Sequence, residues 1–291
     1  MKVRYVFAKT HNILKLQRNI QQRLCNHSEG VVKVLIYHDI PESRLGKFHD
    51  QIKALYDNYI FITPNQFHFF MAGNCNLRGL NLLLTFDDGF LSSRTAAEEV
   101  LGPLGIKALF FVTVNFVGIS DEQQWKHFVS DKICGGTEHV QNFKPEYMPM
   151  GWQDIFWLRD NGHTIGSHTL SHPGLSFRLT ENVLASEIIQ SGDILEEKLD
   201  TAIDDFAYPF GNIESISPQA IAQIQKRYKY CFSGIRGLNR PLTHPMGIFR
   251  DSVNLDDTID YLKFQVENGL SWLYYRKSRK LQSLINEARV G

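Results

Sequence analysis

The run Leu82-Leu83-Leu84-Thr85-Phe86-Asp87-Asp88-Gly89 constrains the fold more than any other stretch, because an unbroken apolar segment ends in two adjacent carboxylates and a glycine. A strand with one wet face alternates apolar and polar residues, whereas a continuous apolar run is the pattern of a strand covered on both faces, as in parallel sheets flanked by helices. Asp87 and Asp88 emerge where that strand stops, and Gly89 permits a sharp exit. Neighbouring carboxylates repel unless a cation or a shared proton relieves them, so the pair points to a metal or to acid/base work. For an isolated Asp-Asp-Gly the plainer reading is a strand cap or an Asp-Gly turn, and the rest of the chain has to decide between the two.

Further segments read as buried strands. Residues 31–36 are apolar except for Lys33 and end in Tyr37-His38-Asp39, and residues 108–114 form a second such run. Shorter ones follow at 164–168, 206–209, 228–232 and 247–253, with His168 and Tyr208-Pro209 at two of the tips. Helical spacing lies between them: Phe48, Ile52, Leu55 and Tyr56; a capping box at Thr63-Pro64-Asn65-Gln66; residues 90–101, closed by Gly102-Pro103; Trp152, Ile155, Phe156 and Leu158, closed by Asn161-Gly162; Leu184, Ile188, Leu195 and Leu199 after Thr180; and Ile221 with Ile224. Residues 118–150 show no clear period and read as a long loop, either functional or merely covering the core. Alternation of about seven strands with helices implies a parallel sheet with crossover helices, and a 291-residue chain can close it into an α/β barrel, a distorted (β/α) barrel of about seven parallel strands. The polar residues then fall together: Asp87, Asp88, His38, His168 and Tyr208-Pro209 all sit just past strand carboxyl ends, the face on which barrel enzymes assemble their sites.

Composition narrows the partners. Lys plus Arg and Asp plus Glu number 31 each, which removes the electrostatic argument for nucleic acid as a partner. Four scattered cysteines, Cys25, Cys75, Cys134 and Cys231, have no zinc-finger spacing and suggest reduced thiols. The start of the chain carries Lys2, Arg4 and Lys9 among few apolar residues, unlike a secretory signal, and no stretch of about 18 apolar residues occurs, so a cytoplasmic protein is the expectation. Trp272, Leu273, Tyr274 and Tyr275 run into Arg276-Lys277-Ser278-Arg279-Lys280, a basic and aromatic segment suited either to packing as a helix on the barrel or to resting on the inner face of an anionic membrane.

His168-Thr169-Leu170-Ser171-His172 places two imidazoles four residues apart, which lets both face one point if the segment makes a helical turn that Pro173 ends. A lone pair of histidines says little. Together with a carboxylate from the Asp-Asp pair they supply a metal-ligand set that leaves a position open to water.

Thr85-Phe86-Asp87-Asp88-Gly89, His168-Thr169-Leu170-Ser171-His172 and Phe206-Ala207-Tyr208-Pro209-Phe210-Gly211 resemble, in order and spacing, the motifs of the polysaccharide deacetylase (NodB-homology) family of carbohydrate esterases. Val34-Leu35-Ile36-Tyr37-His38 resembles the opening segment of the branch that deacetylates poly-N-acetylglucosamine. The resemblance spans roughly residues 31–253 and implies a NodB-type barrel. It implies that Asp88, His168 and His172 hold a divalent metal, usually zinc, and that Asp87 is the general base. It further implies that the backbone N–H of Phe210 helps bind the oxyanion, with Pro209 fixing that turn and Tyr208 and Phe210 lining the sugar subsite. Two departures stand out. The late Leu-x-His motif that usually supplies the acid is missing, His244 being the one histidine after Tyr208, so His38 takes that role by analogy with the branch. The arginine that many members place before the motif proline is also missing; Arg250 could orient Asp87 from another direction, or form an ordinary surface ion pair.

The expected division is an N-terminal helical cover over 1–30, a catalytic barrel over 31–255 and a C-terminal helical, basic and aromatic extension over 256–291. The expected activity is metal-dependent removal of an N-acetyl group from a sugar, giving acetate and a free amine, with an N-acetylated saccharide as partner. The rivals are a deacylase of O-acetyl or formyl groups on a small or lipid-linked saccharide, and a barrel that binds glycan without turnover.

Overall fold

A computed structural model describes residues 30–289 apart from 141, 142, 144, 177, 242 and 270, so the helical cover expected over 1–30 lies outside the described residues. Strands β1 (Val31–Tyr37), β2 (Ile60–Phe61), β3 (Leu80–Phe86), β4 (Leu109–Val112), β5 (Thr164–Ser167), β6 (Asp205–Ala207), β7 (Tyr230–Phe232) and β8 (Asp251–Ser252) form one sheet. Its path is β7-β6-β5-β4-β3-β1-β8, with β2 added beside β3, and every ladder is parallel. Seven strands on one curled path give the distorted (β/α) barrel of the NodB type that the alternation predicts.

Strand alternation sorts the side chains into two cores. Leu35, Tyr37, Leu82, Leu84, Phe86, Phe110, Val112, Phe206 and Cys231 point outward beneath the helices. Val32, Val34, Leu83, Leu109, Phe111, Ala207 and Phe232 fill the interior, together with Phe67, Phe70 and Met71 of the helix Pro64–Met71. That helix starts at the predicted capping box, with the Thr63 side chain accepting from Gln66 N–H and the Gln66 side chain accepting from Thr63 N–H. His68 reaches Asp205 Oδ1 at 2.8 Å and stacks on Tyr230 at 4.7 Å, which pairs one oxygen of that buried carboxyl. Gly166 of β5 has no alternative: a Cβ there would lie 2.7 Å from the Phe111 ring, which occupies the interior.

The last strand is shorter than the 247–253 run suggests. Pro245–Gly247 is a 3-10 turn, Ile248 bridges Phe232 of β7, and only Asp251–Ser252 pairs with β1. A segment that must meet both ends of the curled sheet within five residues cannot run as a regular strand, and side chains complete the closure. Lys33, buried on β1, donates to Asp251 and to Asn268, each at 3.2 Å.

Residues 118–150 are not simply loop. Asp121 caps a helix Glu122–Phe128 that continues as a wide π-helical turn, Val129–Ile133. Trp125, Phe128, Val129 and Ile133 are in fact spaced for a helix, but the π turn breaks the phase that a 3.6-residue search relies on. After the barrel, the helix Tyr275–Ala288 docks through buried Leu281, Leu284 and Ile285, while Trp272, Leu273 and Tyr275 remain exposed. No helix among the described residues is long and apolar enough to cross a membrane.

His163, just before β5, is buried and accepts from the Ala108 N–H at 3.2 Å. Burial, and secondarily the Lys107 charge, pushes its pKa down to about 4. The unfolded chain takes up that proton near pH ~6.5 and so binds more protons over this window, which makes stability fall as pH drops from about 6.5 towards about 4, by up to roughly 3 kcal/mol. Urea unfolding midpoints at both ends of the window should show this loss in the parent and a smaller one in His163→Gln.

Candidate active site

The tips of four strands and the closing segment meet in one cleft of about 200 Å³, lined by His38, Asp87, Asp88, His168, His172, Phe210 and neighbours. β3 delivers its two carboxylates to opposite sides because the backbone turns left-handed between them. Asp87 still belongs to the sheet, its N–H donating to Tyr37 O at 3.0 Å, while Asp88 has φ 74° and Gly89 φ 99°. Left-handed backbone is tolerated best by glycine and next by Asn or Asp, and Asp88 is tied down through its carbonyl, which accepts from Thr113 N–H at 3.2 Å.

The two histidines converge, but not on a helical turn. Residues 168–172 form a loop in which Thr169 (φ 67°) and His172 (φ 64°) are both left-handed, and the His172 N–H donates to Thr169 Oγ1 at 2.9 Å. His168 Nδ1 donates to Ala207 O at 2.7 Å and His172 Nδ1 donates to Lys132 O at 2.9 Å. A carbonyl can only accept, so both rings carry hydrogen on Nδ1 and turn Nε2 inward. Those Nε2 atoms lie 3.4 Å (His168) and 3.2 Å (His172) from Asp88 Oδ1.

This donor set fits a divalent metal. The three ligand atoms of Asp88, His168 and His172 lie within 4.8 Å of one another, all three residues are buried, and ligand atoms ~2.1 Å from a tetrahedral ion are separated by ~3.4 Å. The electrostatics agree. Burial disfavours the Asp88 carboxylate, but the two imidazoles outweigh it and hold its pKa far below the usual range; burial likewise opposes charge on His172, and Asp88 outweighs it to push that pKa up. The cluster is complementary to positive charge, whether a proton or an ion, and two imidazoles with one carboxylate are what zinc-like metals take.

Arg250 settles the arginine question geometrically. It is 1% exposed, so a surface ion pair is excluded. Its Nη1 and Nη2 donate to Asp87 Oδ1 and Oδ2 at 2.7 and 2.9 Å, Nη1 also reaches Thr85 Oγ1 at 3.2 Å, and Nε donates to Ser233 O at 2.9 Å. The guanidinium lies over the rings of Phe111 and Phe232, 5.0 and 5.9 Å from their centroids. Burial by itself would raise the Asp87 pKa; the Arg250 charge, His168 and the paired hydrogen bonds outweigh it and hold that carboxyl below the usual range.

His38 is exposed at the cleft, which excludes a core histidine. Phe210 (φ 63°) is 47% exposed and meets His172 edge to face at 5.0 Å, and its N–H has no hydrogen-bond partner among the described residues. Tyr208 is a correction: its side chain is 1% exposed and its hydroxyl donates to Gly211 O at 3.1 Å. It braces the turn from within the core and does not line the cleft, and Pro209 likewise lies beneath the turn. Gly211 (φ 61°) packs so closely on Gly234 that a Cβ would approach its nitrogen to 2.5 Å.

Three contributors, Lys132, Ile133 and Glu187, are absent from the motif reading. Ile133 and the Lys132 carbonyl come from the π-helical turn hidden in the supposed loop. Glu187 accepts from Leu170 N–H, Ser171 N–H and Ser171 Oγ at 3.0, 2.8 and 2.5 Å behind the histidine loop. Its signal was an acidic residue on the inward stripe of Leu184, Ile188, Ser191 and Leu195.

Comparison with known proteins gives a consistent result. The family model described as polysaccharide deacetylase matches residues 77–229. No curated protein matches the chain. Among solved structures, IcaB from Ammonifex degensii is 24% identical with a TM-score of 0.66, covering 82% of this chain and 98% of its own. The Streptococcus pyogenes deacetylase PplD is 18% identical with a TM-score of 0.64, covering 82% and 99%. A de-N-acetylase from Aggregatibacter actinomycetemcomitans is 14% identical with a TM-score of 0.62, covering 81% and 99%. At such identities the likeness is one of fold.

Removing Arg250 would strand a buried carboxylate. Arg250→Ala should lower stability by about 3–5 kcal/mol, read as a shift in denaturant midpoint, whereas the double variant with Asp87→Asn should recover part of that loss.

Proposed function

The chain belongs to the polysaccharide deacetylase family, and from that premise we propose that it removes an N-acetyl group from a saccharide by metal-assisted hydrolysis, releasing acetate and a free amine. The observation that carries this reading is the placement of a bidentately held carboxylate, Asp87, beside the Asp88–His168–His172 cluster in one cleft. In the proposal Asp88, His168 and His172 hold the ion. Bound there, a divalent cation supplies Lewis acidity that acidifies water and polarises the amide carbonyl.

The chain's own groups supply the rest. Arg250 fixes both Asp87 oxygens and keeps the carboxylate ionised, leaving their remaining lone pairs to take a proton from the attacking water. Burial is outweighed by the Arg250 charge, His168 and the paired hydrogen bonds, which hold this carboxyl below its usual range, so it is a weaker base than a free aspartate and would serve best a water made more acidic by a bound cation. Phe210 lines the cleft and its N–H, without a partner among the described residues, is the proposed donor to the developing oxyanion, and His38, exposed beside Asp87 and Asp88, gives the leaving nitrogen its proton. Atoms balance: water adds to the carbonyl carbon, the carbon–nitrogen bond breaks, acetate leaves and the amine departs protonated.

The cleft, about 200 Å³, is smaller than the ~300–1,000 Å³ typical of pockets that engulf a whole ligand. An acetamido group therefore enters while the sugar lies across the mouth, a geometry open to polymer and oligomer alike. The two departures that favoured a non-catalytic barrel have counterparts here, Arg250 on Asp87 and His38 on the cleft.

With zinc or cobalt, the protein should release acetate from N-acetylglucosamine oligomers, and a strong chelator should stop it. Asp87→Asn should lower kcat by about 10²–10⁴-fold while still binding metal; undiminished turnover by that variant rejects the assignment. His38→Ala should lower kcat on the amide by about 10²-fold but affect an aryl acetate far less, because a phenolate leaves without a proton. Comparing acetate with formate release across polymeric, lipid-linked and nucleotide-linked sugars separates the N-deacetylase from an O-acetyl or formyl deacylase.

A further inference from the structure

We propose that Glu187 is a positioning residue for the metal site: it presets the 168–172 loop so that both histidine Nε2 atoms converge on Asp88 before an ion arrives. The inference rests on the metal-binding reading above and adds to it a residue that touches none of the ligands.

The loop needs such a brace. Two of its five residues, Thr169 and His172, hold the left-handed backbone that L side chains disfavour, and neither is Gly, Asn or Asp. Such a conformation persists only where the surroundings over-determine it. Part of the restraint comes from ahead, where Val114 N–H and Asn115 N–H donate to Thr169 O and Leu170 O at 3.2 and 2.8 Å. His168 is held at the loop's start by Val112 O and the Thr113 hydroxyl, and the His172 N–H by Thr169 Oγ1, while the bonds from behind the loop converge on one carboxylate. Glu187 Oε2 accepts the N–H groups of Leu170 and Ser171, and Oε1 accepts the Ser171 hydroxyl. These are the residues between the two ligands, so fixing them fixes the angle between the rings.

The helix that carries Glu187 is anchored for the purpose. Four residues on, Ser191 hydrogen-bonds to Ser167, the residue before His168, at 2.8 Å. The same helix thus grips the loop on its near side through Ser191 and at its middle through Glu187. Glu187 itself lies in a π-helical turn, Ser186–Gln190, and the Ile188 carbonyl within it accepts from both the Ser191 and Tyr228 hydroxyls at 2.9 and 2.7 Å. Glu187 is 8% exposed and makes no contact with Asp88, so a role as ligand, acid or base is not offered to it. Charge-assisted hydrogen bonds from amides to a buried carboxylate are the strong kind, and here they preorganise backbone.

The test uses the full chain with Glu187→Ala, Glu187→Gln and Ser171→Ala, and measures zinc affinity by competition with a chromophoric chelator, thermal midpoints with and without zinc, and acetate release at saturating zinc. Glu187→Ala should weaken zinc binding by about 10–100-fold, the range typical of lost outer-sphere support. Glu187→Gln, which keeps an acceptor, should fall between it and the parent, and Ser171→Ala, which removes one bond of the three, should shift affinity least. The zinc-induced rise in thermal midpoint should shrink in the same order, and saturating zinc should restore most of kcat with the saccharide KM unchanged. If Glu187→Ala does not fold, the graded Gln and Ser171 variants carry the comparison. Unchanged zinc affinity with equal drops in both thermal midpoints overturns the proposal and leaves Glu187 as ordinary structural support. A parent chain that binds no zinc, or binds it equally after Asp88→Asn, overturns instead the metal reading on which the proposal rests.

Discussion

Burying a guanidinium away from water costs several kcal/mol unless its donors and its charge are fully met, and the arrangement that meets them for Arg250 also shapes the rest of the molecule. Its partners are the Ser233 carbonyl beyond β7, the Thr85 hydroxyl and the Asp87 carboxylate of β3, with two aromatic faces from β4 and β7. Arg250 belongs to the short segment that joins the two ends of the curled sheet, so one side chain both closes the barrel and fixes the carboxylate proposed as base. Closure and chemistry depend on the same contact. A lysine, with one ammonium in place of a planar fork, would not reproduce it.

Around that contact the backbone is held in conformations it would not choose. Asp88, Thr169, His172 and Phe210 are all left-handed, and all sit on the cleft or in the loop that serves it. Each such residue costs roughly 1–3 kcal/mol, which the ordered framework offsets elsewhere. Two further left-handed residues, Asp200 and Asn268, merely end helices, whereas these four lie where the chain leaves the sheet around the cleft.

Sequence reading recovered the framework because the physical signals there are long or repeated. Apolar runs such as Leu82–Leu84 and Phe110–Val112 must be buried strands, and the polar residues at their ends, Asp87, Asp88 and His168, share a face in any parallel barrel. Three features stay open or hidden in the sequence for three different reasons. For Arg250 the sequence leaves a choice between orienting Asp87 and a surface ion pair, because its partner lies 163 residues away and nothing local marks an arginine as inward-pointing. The helix Glu122–Phe128 and its extension escaped because a π turn disrupts the period that reveals helices. Tyr208 was assigned to the cleft on the strength of its neighbours in the motif, whereas adjacent residues at a strand end face opposite ways and its hydroxyl had a carbonyl to satisfy close by.

The filled interior carries a consequence for traffic. Phe111 and Phe232 lie against Arg250, and Val34, Leu83, Leu109 and the helix Pro64–Met71 pack the barrel beyond them, so among the described residues the interior behind the cleft is filled with side chains on that side. In the proposed reaction, acetate formed against that packed wall would leave towards the mouth by which the substrate entered, and a chain still lying across the mouth would stand in its way. On that reading the saccharide would be released between turnovers, and the spacing of modified units along a polymer would follow how often the chain is released and caught again.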